Sequence, residues 1–151
     1  MKIELKKMNQ SEYDSFMARS VPEFAKEKQT AEGLTPSEAT ELAQSTFSQL
    51  LPDGLMSKDQ HLYCFTLDGR SIGELWLAKR GDGCFIYEIF LEAKLRGQGL
   101  GKQLMALVDS EATRLGFKVI RLHVFGHNKI ATRLYQSCGY EVTNLNMAKK
   151  L

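Results

Sequence analysis

Apolar residues change their spacing several times along the chain, and each change marks an element. Alternation over residues 2–8 predicts a short strand. Ser11-Glu12-Tyr13-Asp14 then reads as a helix start with Ser11 as N-cap, and that helix should stop at Gly33. Thr35-Pro36-Ser37-Glu38 combines a capping box with proline at the first helical position. Leu42, Thr46, Phe47 and Leu50 continue this second helix on one face until Pro52-Asp53-Gly54 ends it.

From His61 the period becomes strand-like. Strands over 61–67 and 71–79 flank Asp68-Gly69-Arg70, a hairpin signal, and Arg80-Gly81-Asp82-Gly83 turns the chain into another strand over 84–91. Leu100, Leu104, Leu107, Val108 and Leu115 return to helical spacing, with Gly116 as C-cap. A strand over 117–125 should follow. Asn128 then caps a helix that carries Ala131, Leu134, Tyr135 and Cys138 inward and closes at Gly139. Residues 140–151 are expected to form a final strand or strand pair. The order β-α-α-β-β-β-α-β-α-β predicts a three-layer α/β fold with a mixed sheet, one domain over 1–151.

Composition narrows the function more than the fold. Charged and apolar fractions are those of an ordinary globular chain. The first residues lack the apolar core of a signal peptide, and no later run is long enough to span a bilayer. Cys64, Cys84 and Cys138 are scattered and odd in number, which predicts reduced thiols in a cytoplasmic compartment. His61 and His127 have no partners at metal-ligand spacing, so no catalytic metal is expected. Residues 1–60 carry 7 Lys/Arg against 10 Asp/Glu, whereas residues 61–151 carry 13 against 8. The basic half suits a small polyanionic ligand. Without a dense basic run interleaved with aromatics, it does not point to nucleic acid.

The ligand signal lies in that half. Arg96-Gly97-Gln98-Gly99-Leu100-Gly101 leads from a strand into a helix, where backbone N–H groups lack partners and the helix dipole adds positive charge. Glycines let such a backbone approach a phosphate closely. A P-loop would need Lys-Ser or Lys-Thr after the last glycine, and Gly101-Lys102-Gln103 lacks it. A dinucleotide fingerprint belongs to the first βα turn of a parallel sheet, whereas this loop comes late. Neither alternative fits.

One strand later stands Asn128-Lys129-Ile130-Ala131-Thr132-Arg133-Leu134-Tyr135, running on to Gly139-Tyr140. Together the two segments resemble the GNAT acyltransferase superfamily. Its cofactor motif, Arg/Gln-x-x-Gly-x-Gly/Ala, matches Arg96, Gly99 and Gly101. Its later pattern, Asn-x-x-Ala-x-x-Leu-Tyr-x-x-x-Gly-Phe/Tyr, matches Asn128, Ala131, Leu134, Tyr135, Gly139 and Tyr140.

The resemblance implies a GNAT-like fold and an N-acetyltransferase that moves an acetyl group from acetyl-CoA to a primary amine. It implies a CoA site at Ile89, Phe90, Leu91, Arg96, Gly97, Gln98, Gly99, Leu100, Gly101, Lys102 and Asn128. The pantetheine arm would pair with the strand before the loop, and the N–H of Leu91, or one near it, would serve as oxyanion donor. Tyr135 would protonate the departing thiolate, although a buried tyrosine filling the helix–sheet interface is the alternative. His123 and Glu88 both stand as candidate bases. Removing a proton at pH 7 costs about 4.6 kcal/mol for a lysine-like amine and about 1.4 for an α-amine, so the former needs a base more. Tyr87, Trp76, Met17, Phe24 and Phe47 are either acceptor-pocket residues or core. Glu23, Glu27 and Glu32 are either an exposed helix face or an attraction for a cationic acceptor. A non-catalytic acyl-CoA-binding module on the same fold is the second reading, and a homodimer paired through the last strands is an expectation.

Overall fold

Asp68 and Gly69 both adopt left-handed backbone, with φ of 51° and 80°, which is the two-residue turn that matches the twist of flanking strands. The turn joins β2 (Gln60–Leu67) to β3 (Arg70–Arg80), the centre of the sheet. The structure, a computed structural model, describes residues 2–151. β1 (Ile3–Lys7) pairs antiparallel with β2, and β4 (Gly83–Leu91) pairs antiparallel with β3. β5 (Ile120–Leu122) adds to β4 in parallel, giving the order β1-β2-β3-β4-β5.

Alternation along these strands feeds two cores. On one face Tyr63, Phe65, Leu75, Leu77 and Ile86 pack with Leu104, Met105 and Val108 of α3 (Gly101–Arg114). On the other, Leu62, Cys64 and Trp76 meet Phe16 of α1 (Gln10–Glu32) and Phe47 of α2 (Pro36–Leu50). Phe16 stands edge-on to Trp76 at 6.1 Å, and Phe47 lies 5.6 Å from it. Trp76, Phe47, Met17, Phe24 and Tyr87 therefore belong to the core under α1 and α2.

Three boundaries differ from the sequence expectation. α1 is capped by Asn9, not Ser11: the Asn9 side chain accepts from the Glu12 amide at 2.8 Å, and Glu12 accepts from the Asn9 amide at 2.9 Å. This reciprocal box satisfies two amides, whereas Ser11 would satisfy one. β5 is far shorter than 117–125. Phe117 is taken up in the turn after α3, where its amide donates to the Ala112 carbonyl, and the β4 ladder ends at Ile86↔Leu122. Residues 140–151 form no strand: they pair with no strand of the sheet, and 141–151 lie exposed. The observed order is thus β1-α1-α2-β2-β3-β4-α3-β5, followed by α4 (Lys129–Ser137).

Candidate active site

β4 runs on to Leu91, but its pairing with β5 stops at Ile86, so the two parallel strands part and leave one edge of β4 open. A bulge prepares this edge. Trp76 pairs with Glu88 and Leu77 with Ile86, so Tyr87 is an extra residue, and it turns to the same side as Glu88. Beyond the bulge, the Glu92 amide donates to the Ile72 carbonyl and the Phe90 carbonyl faces Gly73. Alternation then turns the amides of Ile89 and Leu91 away from β3, toward the opening. The Phe90 backbone faces β3; what Phe90 offers is its ring, with the Arg19 guanidinium 3.9 Å above its centre and Arg96 at 5.3 Å.

After a short 3₁₀ turn at Ala93–Leu95, Arg96 Nε donates to the Leu91 carbonyl at 2.7 Å and Gln98 Nε2 to the Lys94 carbonyl at 2.9 Å. These bonds fasten the loop to the end of β4. Gly97 and Gly99 take φ of 75° and 77°, a region that side chains avoid. α3 begins at Gly101 with Leu100 as N-cap and no side-chain cap bond, and its first turn holds no acid. By contrast α1, α2 and α4 are capped by Asn9, Thr35 and Asn128. The amides of α3, with Lys102 beside them, form a positive end that lacks a partner.

α4 closes the other wall. A Cβ on Gly101 would lie 2.9 Å from Leu134 Cδ2, so glycine there lets α4 pack on the start of α3. Tyr135, the next residue, is half-buried beside Tyr140, with ring centres 5.8 Å apart, and burial raises its phenol above the usual pKa. Asn128 Oδ1 accepts from the Ala131 amide at 3.1 Å, which leaves its Nδ2 to donate elsewhere.

Glu88 faces α1. Its oxygens accept from Ser20 Oγ at 2.7 Å and Arg19 Nη1 at 3.1 Å, while Arg19 also pairs with Glu23 at 2.7 Å and with Glu74. Burial raises the Glu88 carboxyl above its usual range, against the opposing pull of Ser20 and Arg19. Glu32 pairs with Lys28, and burial raises Glu27. His123 lies just past β5 and is exposed, its ring edge-on to Phe125 at 4.9 Å. Ile120 and Leu122 turn to the α3 core, so Arg121 between them faces the other side of the sheet, while His123 and Phe125 lie beyond the last paired residue of β5.

Arg19, Ser20 and Glu74 surround Glu88, and the sequence reading did not single them out. One signal was present: Tyr13, Phe16 and Ser20 occupy the buried stripe of α1, and a hydroxyl inside an apolar stripe needs a polar partner.

The uncapped helix start, the bulged strand and the parted β4 and β5 come together with comparisons across known proteins. The acetyltransferase (GNAT) family pattern matches residues 23–140. The chain belongs to this family. It is 35% identical to the uncharacterized N-acetyltransferase YycN of Bacillus subtilis (strain 168) across all of both chains. The crystal structure of YycN superimposes with a TM-score of 0.90 at 34% identity, covering 99% of each chain. The fold also matches PaiA N-acetyltransferase of Thermoplasma acidophilum in complex with coenzyme A, with a TM-score of 0.69 at 18% identity over 97% of this chain and 94% of that one. Aminoglycoside acetyltransferase AAC(6')-Iy, solved with the bisubstrate analog CoA-S-monomethyl-acetylneamine, matches with a TM-score of 0.62 at 18% identity over 100% of this chain and 99% of that one.

Proposed function

We propose that the protein moves an acetyl group from acetyl-CoA to a primary amine by direct transfer, with both substrates bound at once. The observation that carries this reading is the uncapped start of α3, which opens on two left-handed glycines where β4 and β5 part. A Cβ added at Gly97 or Gly99 would meet nothing within 4 Å, so there is room for an anion against bare amides. The amides from Gly97 to Lys102 hold the pyrophosphate, Arg96 and Lys102 add charge, and Gln98 and Leu100 shape the loop. Ile89 and Leu91 pair with the pantetheine amides as a neighbouring strand would, Phe90 supports the arginines, and Asn128 Nδ2 donates to the same arm. The complexes of PaiA with coenzyme A and of AAC(6')-Iy with its analog support a CoA donor for this fold.

The amine lone pair attacks the thioester carbonyl carbon. The Leu91 N–H donates to the carbonyl oxygen as charge gathers there. The C–S bond breaks, and Tyr135 gives its phenolic proton to the leaving sulfur. Its raised pKa keeps that proton in place at neutral pH. Glu88 takes the proton that the nitrogen sheds, through water, and solvent restores Tyr135. Three carboxylates, Glu23, Glu74 and Glu88, surround the single guanidinium of Arg19, which favours an acceptor carrying positive charge.

The test is CoA release on a panel of amines, with wild type set against Tyr135→Phe. The variant should lose about 10²–10⁴-fold in kcat. CoA at ~100 times its Kd should raise the melting temperature of wild type and Tyr135→Phe alike by roughly 5–11 °C. Gly99→Val, which forces a side chain onto left-handed backbone, should lose that shift. CoA binding without turnover on any amine would overturn the enzyme reading in favour of a binding module.

A further inference from the structure

Three aromatic rings form a row along the sheet face that carries Glu88. Trp76 lies 4.8 Å from Tyr87, and Tyr87 lies 5.0 Å from Phe85, centre to centre. Cys84 and Ile86 turn to the α3 core, so Phe85 between them faces the opposite side. The bulge turns Tyr87 and Glu88 to that side as well. Trp76 is buried under α1 and α2, but Phe85 and Tyr87 are only half-buried. The row therefore starts inside the core and comes into the open beside Glu88, where β4 and β5 part.

Cations stand at its open end. The Arg80 guanidinium lies 4.2 Å above the Phe85 ring and 5.4 Å from the Tyr87 ring, and Arg80 Nη2 donates to the Tyr87 hydroxyl at 2.7 Å. Two rings and a hydroxyl thus hold the fork in one place, yet among the described residues Arg80 has no ion pair. Arg121 pairs with Phe85 across the ladder and stands on the same side, its charge shared with Asp82 at 3.9 Å. One guanidinium of the patch is therefore uncompensated. An ordered fork of this kind suits a planar oxyanion.

Acids stand at the other end: Glu88, with Glu74 and Glu23 around Arg19. From Phe85 to Glu88 is three residues of strand, one of them the bulge, or about 7–10 Å. A molecule laid along the row meets carboxylates at one end, a guanidinium at the other and aromatic faces between. That arrangement complements an amine and an oxyanion on one molecule, joined by a short apolar chain. A phosphate would bring a second negative charge, whereas a carboxylate matches the one uncompensated guanidinium.

We propose that the acceptor is an amine carrying a carboxylate several bonds away, and that Arg80 is the residue that selects it. Arg80 takes the carboxylate while the amine reaches the thioester beside Glu88, and Phe85 and Tyr87 line the path of the connecting chain. The assignment rests on acetyl transfer at the β4–β5 opening and names the acceptor for it.

Straight-chain ω-amino acids from glycine to ε-aminocaproic acid, each set against its own amide, test it. Each pair shares the amine and differs in the negative charge. At the best length, wild type should favour the acid by about tenfold or more in kcat/KM. Arg80→Gln should bring that ratio close to one, and Arg80→Glu should invert it, with circular dichroism showing both folded. Calorimetric titration of the CoA-loaded protein with the same pairs reads the subsite without turnover. Tighter binding of the acid, lost in Arg80→Gln, with no acetylation of any amine, would support the subsite and overturn acetyl transfer alone. The proposal itself fails if acid and amide do not differ at any length in either measurement, or if a preference for the acid survives in Arg80→Gln.

Discussion

Burial and charge pull Glu88 in opposite directions. Desolvation raises its carboxyl pKa, while Ser20 and Arg19 favour the charged form, and burial has the larger effect. A carboxylate held this way accepts a proton more readily than a solvated one. If it takes the acceptor's proton, the rate should fall as pH drops through its raised pKa, an acid limb above the usual carboxylate range. Glu88→Gln should remove that limb and lower kcat, whereas His123→Ala should keep it, since His123 is exposed, its ring set edge-on to Phe125. A pH profile of kcat/KM for both variants checks this. The sequence offered Glu88 and His123 as equals because alternation alone does not say what packs over a strand. Arg19 and Glu74, distant in sequence, meet Glu88 only once α1 lies across β3 and β4.

Elements meet closely at glycines here, and the neighbour decides what each tolerates. A Cβ on Gly73 would lie 2.1 Å from the Phe90 carbonyl oxygen, backbone that β3 and β4 cannot shift without unzipping. A Cβ on Gly101 would meet the end of the Leu134 side chain, which can rotate. Gly73→Ala should therefore lower the melting temperature by roughly 3–10 °C, for an overpacking cost of about 1–3 kcal/mol, and Gly101→Ala by much less. Thermal melts of the two variants side by side measure the contrast. Most elements were legible from short-range signals: the Thr35 box, the Asp68-Gly69 turn, Asn128 and Gly33 all act within a few residues. The Asn9 box was legible too, since Asn9 and Glu12 have the required spacing, but the more general Ser11 signal masked it. The length of β5 was not legible, because a strand ends where its neighbour leaves it.

Across the whole molecule, an ion pair within α3, Glu111 with Arg114, is tied to the sheet by the Tyr63 hydroxyl. Glu111 accepts two bonds from Arg114, at 2.6 and 3.0 Å, and one from Tyr63, which is buried in β2. Arg114 first, and Tyr63 with it, holds the Glu111 carboxyl down at about 2. A depressed folded-state pKa gives stability that is complete above the ordinary 4.5 and is lost as pH falls from there toward 2. Glu111→Gln should melt lower at pH 7 and show a flatter decline through that window, which melting curves against pH will reveal.

By itself the sequence determined what neighbouring residues decide: helix and strand periods, caps, tight turns, and the glycine loop and later tyrosine motif that mark the family. These depend on geometry repeated every few residues and survive in any context. The tertiary structure decided what distant segments decide together. It put the bulge at Tyr87, parted β4 from β5 so that Ile89 and Leu91 face an opening, and closed Arg19 over Glu88. It also left 141–151 outside the sheet, paired with no strand. Strand pairing and charge burial need a partner, and only the folded chain determines whether one is there.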